Sequence, residues 1–286
     1  MVDNTRGILA MSAAVVVFIF NDALIKLAAQ SVPAAQAIAV RGVFATLWCT
    51  LALLVAGQWR QIPWAAHPRV LFRSLLESAA AIIYLVALFH IPFAIANAVN
   101  LATPLILTVL AVLILKEDVR WRRWTAVTVG FAGVLLVIQP HPGELNAWAW
   151  VALIGTTIGC FRDIFVRFLP AGVPTLVVSF STALMVALVS GVLALAEGLQ
   201  PMTAREVGLI AASSLLLAAG YQLLVLALRS GGEFSVIGSF RYSSILWALA
   251  IGWVVWGEVP NGLAMAGIAV IVASGLYILH RERVRK

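Results

Sequence analysis

The stretch Asn21-Asp22-Ala23-Leu24-Ile25-Lys26, followed by Val32-Pro33, returns 141 residues later as Arg162-Asp163-Ile164-Phe165-Val166-Arg167 followed by Val173-Pro174. An acid, a cation four residues on and a Val-Pro pair keep one register, and Glu117 falls on Glu258 at the same offset of 141. Around the third apolar run the offset is 140, which places Ala87-Leu88 on Ala227-Leu228. Two apolar segments often match by chance, but charges and a proline holding register across a whole chain are much harder to obtain that way. The chain reads as two copies of one unit, residues 1–139 and 140–286.

Composition says what solvent the unit is built for. Of 286 residues, 63% are hydrophobic and 11% charged, against about 45–50% and about 25% in an ordinary soluble domain. A water-soluble globule of this size has no interior large enough for that surface, and disorder, fibrous architecture and a disulfide-stapled fold are excluded by the same figures. Cys49 and Cys160 both fall inside apolar runs, which disfavours a disulfide framework or a thiolate metal site. A hydrocarbon layer about 30 Å thick takes roughly 20 residues of helix. Ten runs of that kind are present, at 7–28, 35–56, 70–90, 93–115, 124–139, 147–168, 175–197, 207–229, 234–257 and 262–280. They are continuous in Leu, Val, Ile and Ala, whereas the strands of a membrane β-barrel alternate, so the spans are helices. Asn21, Asp22 and Lys26 inside the first run, and its place in the repeat, argue against a cleaved signal peptide.

Charge gives the orientation. Arg6, Arg60, Arg69, Arg73, Lys116, Arg120, Arg122, Arg123, Arg167, Arg229, Arg281, Arg283, Arg285 and Lys286 fall to one side, Lys26 and Arg205 to the other, and Arg41, Arg162 and Arg241 lie deep in spans. Fourteen cations against two puts both termini in the cytoplasm. The net charge of +7 is then met by anionic lipid headgroups, with no call for nucleic acid. Trp59, Trp64, Trp121, Trp124, Trp148, Trp150 and Trp256 sit at span ends, where an interfacial belt belongs. Each copy holds an odd number of spans, so the second enters the membrane from the opposite face. Inverted halves are related by an axis in the membrane plane, and exchanging their conformations turns an inward-open cavity into an outward-open one. The expected fold is an all-α integral membrane protein of ten transmembrane helices, two inverted five-helix repeats around a central cavity.

The five-plus-five arrangement, the Glu closing the fourth span of each half (Leu115-Lys116-Glu117-Asp118 and Trp256-Gly257-Glu258-Val259), the glycines of the fifth spans (Gly130, Gly133, Gly267 and Gly275) and the basic C-terminal end resemble the EamA branch of the drug/metabolite transporter superfamily, and within it the bacterial YddG-type amino-acid exporters. The resemblance implies a ten-helix basket in the bacterial inner membrane that exports amino acids and related metabolites.

Ionisable groups within the bilayer cost at least about 2.5–3.5 kcal/mol, so those that persist face a cavity or a partner. Asp22 with Lys26, and Asp163 with Arg167, are spaced four apart on one helix face in the favourable order. They are candidate gates at opposite ends, or pairs that merely neutralise themselves. Asn97, Asn100, Pro104 and Thr108 form one stripe of the fourth span. Pro104 should kink that helix and free a carbonyl, and the stripe either lines a cavity or glues helices. Arg241, the repeat partner of Asn100, sits among Ser239, Tyr242, Ser243 and Ser244 and suits a carboxylate, or pairs with Glu77 or Asp22. Glu77, two turns into the third span, is a candidate for proton coupling or a partner for Arg73, with Tyr84 two turns further on. Asn21, Arg41, Arg162, Tyr221 and Gln222 complete the intramembrane polar set. Glu117 and Glu258 are read as structural, each favouring the dipole of the following helix. Gly155 and Gly159 fit close helix packing or a dimer contact.

No phosphate-binding loop, His-Glu-x-x-His or Gly-x-Ser-x-Gly pattern occurs, and His67, His90, His141 and His280 are scattered near span ends. The chain thus reads as no enzyme and as needing no cofactor or metal. Its partners are the bilayer and a small solute, most simply an amino acid, with a monomer favoured and other oligomers open. Organic phosphates, nucleotide sugars and cationic drugs are the rival solutes; a polytopic membrane enzyme is the rival class.

Overall fold

Prolines open several of the helices and residues with positive φ close them. The structure is a computed structural model that describes residues 5–116, 121–138, 147–165, 168–170, 172–228 and 240–284. Its elements are α1 (Thr5–Ala28), α2 (Ala34–Val55), α3 (Pro68–His90), α4 (Phe93–Asn100), α5 (Thr103–Leu115), α6 (Trp121–Ile138), α7 (Ala147–Phe165), α8 (Thr175–Glu197), α9 (Ala204–Leu228), α10 (Ser244–Trp256) and α11 (Gly262–Val284), with 3-10 turns at Trp59–Ala66 and Phe240–Ser243. No strand occurs among the described residues. Among the described residues, five segments are long and apolar enough to cross a bilayer: α1, α2, α3, Phe93–Ile114 and α8.

Pro33 and Pro174, repeat partners, precede α2 and α8 with nearly the same geometry (φ −52°, ψ 140° and φ −65°, ψ 143°). Proline fixes φ and gives up only an N–H that the first helical turn cannot use. The four residues with positive φ also form two pairs at the repeat offset: Gly57 with Gly198 after α2 and α8, and Lys116 with Gly257 after α5 and α10. Left-handed backbone lets the chain fold back over the last turn and satisfy its carbonyls; after α10, Gly257 N–H donates to Trp253 O and Glu258 N–H to Gly252 O. Lys116 holds the same conformation with a Cβ, at a cost of roughly 1–2 kcal/mol. At the start of α9, Thr203 N–H donates to the Glu206 carboxylate (2.6 Å) and Glu206 N–H to Thr203 Oγ1 (3.3 Å), a reciprocal cap. The hydroxyl of Ser31, then Thr203, hold the Glu206 carboxyl below its ordinary range.

The principal packing pairs are α1 with α9, α2 with α8, α6 with α11, α3 with α7, α3 with α8 and α2 with α9. Each joins the first half of the chain to the second, and exchanging the halves maps this set of pairs onto itself. Backbones approach at small residues: a Cβ at Gly42 would come 2.7 Å from Ala187 N, one at Gly133 2.9 Å from Gly267 O, and one at Gly155 2.8 Å from Tyr84 N. Gly155 therefore serves packing of α7 on α3 within the chain. The interior is rich in alanine (Ala94, Ala96, Ala98, Ala149, Ala152), while leucine, valine and tryptophan face outward (Leu47, Leu54, Leu188, Val192, Trp253, Val254). That distribution suits a lipid solvent, which has no preference for inward-facing bulk.

The fourth apolar run departs from a single kinked helix: it breaks into α4 and α5 at Leu101-Ala102, and Pro104 sits in the first turn of α5. The carbonyl that Pro104 leaves without an N–H is that of Asn100, and it accepts the Thr103 hydroxyl at 2.7 Å. The freed acceptor is used by the chain itself.

Candidate functional site

Four chain ends meet where α1 and α3 finish, α4 begins and α10 finishes. Pro92 brings no N–H to the α3–α4 connection, leaving the Ile91 carbonyl and the Phe93 N–H as orphans of two helix termini. Lys26 Nζ donates to Ile91 O (2.7 Å) and to Glu258 Oε1 (3.2 Å). The other Glu258 oxygen accepts the Phe93 N–H. The cation thus lies at a helix C-terminus and the anion at an N-terminus, the favourable sense of both dipoles. Phe93 and Trp256, whose rings are 5.3 Å apart, flank the ammonium at 5.9 and 5.0 Å. Lys26 is 7% exposed, so a buried charge is satisfied by an ion pair, a carbonyl and two aromatic faces.

This corrects two expectations. Lys26 pairs with Glu258, 232 residues away, and not with Asp22 one turn back. Glu258 caps α4 and not the helix that follows it, because Gly257 turns it back under α4. Trp256, expected in the interfacial belt, packs on Phe93.

Deeper in the bundle lies a second polar set. Arg162 on α7 binds Glu77 of α3 with one nitrogen and Asp163 with two others (2.8 and 3.0 Å). Glu77 therefore goes to Arg162, while Arg73 donates to Thr182 Oγ1 of α8 at 3.1 Å. Ser74 and Ser181 join the same helices at 3.0 Å. Arg167, expected to pair with Asp163, lies outside the described residues.

On the opposite flank, Asn21 Nδ2 donates to Asp22 Oδ1 (2.9 Å) and its Oδ1 accepts Arg41 of α2 (3.1 Å). Arg41 is the charge that acts most strongly on Asp22, yet the carboxamide stands between them. Arg41 Nε is buried with no hydrogen-bond partner among the described residues. The buried Tyr84 hydroxyl meets the Asn100 side chain and the charge of Asp22. Tyr221 on α9 is 48% exposed, meets Phe18 edge-on at 5.3 Å, and is surrounded by the charges of Glu77, Arg162, Asp163 and Arg41. Such neighbours belong to the bundle interior, so the open face of Tyr221 looks into space between helices and not onto lipid.

Asn97 is buried and donates to Phe93 O of its own helix (2.9 Å), whereas Asn100 is exposed at the end of α4. Tyr242 is buried with its hydroxyl against Gly275, leaving no room there for a side chain. The side chains of Arg241, Gln222 and Pro104, and Glu117 as a whole, lie outside the described residues. Arg41 is the interior group that sequence reasoning noted without assigning; its place opposite Asn21-Asp22 depends on how α1 and α2 face each other. The structure describes no group of three metal-binding side chains among these residues.

Comparison with known proteins gives a consistent result. Residues 5–139 match the EamA-like transporter family. The pseudopaline exporter of Pseudomonas aeruginosa is 26% identical over 269 residues, covering 94% of each chain. The S-adenosylmethionine uptake transporter of Rickettsia prowazekii is 24% identical over 197 residues, 67% of this chain and 65% of that one. The riboflavin transporter of Rhizobium johnstonii is 24% identical over 224 residues, 78% and 72% of the two chains. A solved crystal structure superposes with a TM-score of 0.67 at 18% identity, covering 98% of this chain and 99% of that chain, which speaks to the fold alone.

Proposed function

We propose that the chain is a membrane transporter of the EamA branch of the drug/metabolite transporters, as the match of residues 5–139 and the transporter relatives support, and that it exports amino acids and related small metabolites from the bacterial cytoplasm by alternating access. It does so as ten spans in two inverted halves, both termini cytoplasmic. The repeat offset, its return in the prolines and positive-φ residues, and the exchange symmetry of the helix pairs support the halves. The fourteen-to-two split of cations supports the orientation.

The observation that carries the solute class is charge balance. Among the described interior side chains, Asp22, Glu77 and Asp163 face Arg41, Arg73 and Arg162. A phosphate carrier is expected to line its path with cations and a carrier of cationic drugs with acids; acids and cations side by side suit a solute that is charged at both ends. The gates in this reading lie at the Asp22 and Asp163 ends, with Arg241, Asn100, Tyr84, Asn21, Tyr221 and Gln222 toward the cavity between them.

Counterflow tests the proposal. Purified protein in liposomes loaded with unlabelled amino acids should accumulate a labelled mixture of the same amino acids, while sugar phosphates and quaternary ammonium compounds inside should drive none. Accumulation driven by sugar phosphates and not by amino acids would reverse the assignment.

A further inference from the structure

We infer that the head group of the transported solute docks between Asp22 and Arg41, an α-ammonium on the Asp22 carboxylate and an α-carboxylate on the Arg41 guanidinium and the Tyr84 hydroxyl. The inference rests on the amino-acid reading above and assigns it to particular residues of α1, α2 and α3.

Two opposite charges inside a bilayer protein lower each other's burial cost by closing to a direct ion pair. Lys26 and Glu258 do so, and so do Arg162 and Glu77. Asp22 and Arg41 do not: the Asn21 carboxamide, 1% exposed, holds them apart. Its oxygen accepts from Arg41 at 3.1 Å and its NH2 donates to Asp22 at 2.9 Å. This amide presents an acceptor to the cation and a donor to the anion across the width of one small group. An α-amino acid presents the same two functions across one carbon, each with a full charge in place of a dipole.

The donor left over points the same way. Arg41 Nε, buried, has no hydrogen-bond partner among the described residues, and the buried Tyr84 hydroxyl has the Asn100 side chain beside it. A guanidinium binds a carboxylate through two parallel N–H bonds, so an unused Nε beside a used NH2 is the edge that such binding takes. The exposed face of Tyr221, close to Arg41, gives this cluster access to interior space, and Asn100 at the α4–α5 break lies beside Tyr84. The remainder of a bound solute would lie toward these two residues.

Each charge of the solute has its own residue, so the test compares competitors. Counterflow of a labelled mixture of the common L-amino acids is competed by the unlabelled mixture, by the same mixture N-acetylated, and by the corresponding decarboxylated amines. Wild-type protein should respond to the unmodified amino acids alone. Arg41→Gln should weaken amino-acid competition at least about tenfold and make the amines as effective as the amino acids. Asp22→Asn should do the same for the N-acetylated acids, and Tyr84→Phe should weaken amino acids several-fold while keeping the order of competitors. The ranking of competitors does not depend on how much of a variant folds. Variants that keep the wild-type ranking, or a wild type that accepts amines or N-acetylated acids equally, would overturn the site while leaving amino-acid transport standing. A wild type with no amino-acid counterflow would overturn the transport reading itself, and the site with it.

Discussion

One helix, α1, carries two charged clusters a single turn apart, and they are built in opposite ways. At Lys26 every charged group has found a partner: ammonium to carboxylate and carbonyl, carboxylate to the N–H of a helix start, aromatic rings over the cation. At Asp22 the charges stand apart behind an amide, with a donor of Arg41 unspent. A saturated cluster ties four chain ends together and is a structural knot. An unsaturated one raises the energy of the fold, and proteins keep such groups inside membranes where a solute or ion completes them.

The contrast can be broken most forcefully at the knot. Glu258→Gln or Lys26→Met strands a buried charge, and each should lower unfolding stability by about 3–5 kcal/mol. The double variant Lys26→Met/Glu258→Leu should recover much of that loss, as read by thermal unfolding in detergent. Losses that simply add in the double variant would mean that the pair contributes little.

The Glu77–Arg162 pair lies between the extremes, because Arg162 keeps Asp163 when Glu77 is neutralised. Glu77→Gln should cost about 1.5–3 kcal/mol by the same measurement. A loss as large as that at Glu258 would show Asp163 to be no substitute.

Gly257 is what turns Glu258 toward the knot, and its repeat partner Lys116 holds the same left-handed backbone with a side chain. Lys116→Gly should therefore stabilise by about 1 kcal/mol, whereas Gly257→Ala should destabilise and weaken the knot.

The smallest effect on stability belongs to the unsaturated cluster. Arg41→Gln keeps an amide donor for the Asn21 oxygen and should lower unfolding stability by no more than about 1 kcal/mol, while changing transport strongly. A loss comparable to that of Lys26→Met would make Arg41 a structural residue and erase the contrast.

Much of the fold was legible along the chain. The long apolar runs, the prolines that open α2 and α8 and the glycines that close α2 and α10 act over a few residues, so their effects can be read locally. The break between α4 and α5 was half legible: Pro104 announced a disturbance, but Thr103 capping the Asn100 carbonyl decided that the helix ends and restarts there. The spacing of Asp22 and Lys26 was misleading for a physical reason. An i,i+4 pair gains only about 0.2–0.5 kcal/mol on an isolated helix, and a carboxylate fixed at a helix N-terminus beside a buried carbonyl is a far stronger competitor for Lys26. Of the polar interior, sequence could say that charges such as Asp22 and Glu77 face a cavity or a partner, but not which groups meet.

By itself the sequence determined that this protein lives in a bilayer as helices, and it offered a register of about 140 residues between the two halves, because hydropathy, helix punctuation and internal register are properties of the chain read in order. Only the tertiary structure decided that Lys26 belongs to Glu258, that Glu77 belongs to Arg162, and that Asn21 keeps Asp22 and Arg41 apart. Those pairings depend on how helices rotate and cross, and a charged side chain at a given position is compatible with many partners until packing brings one within hydrogen-bonding distance.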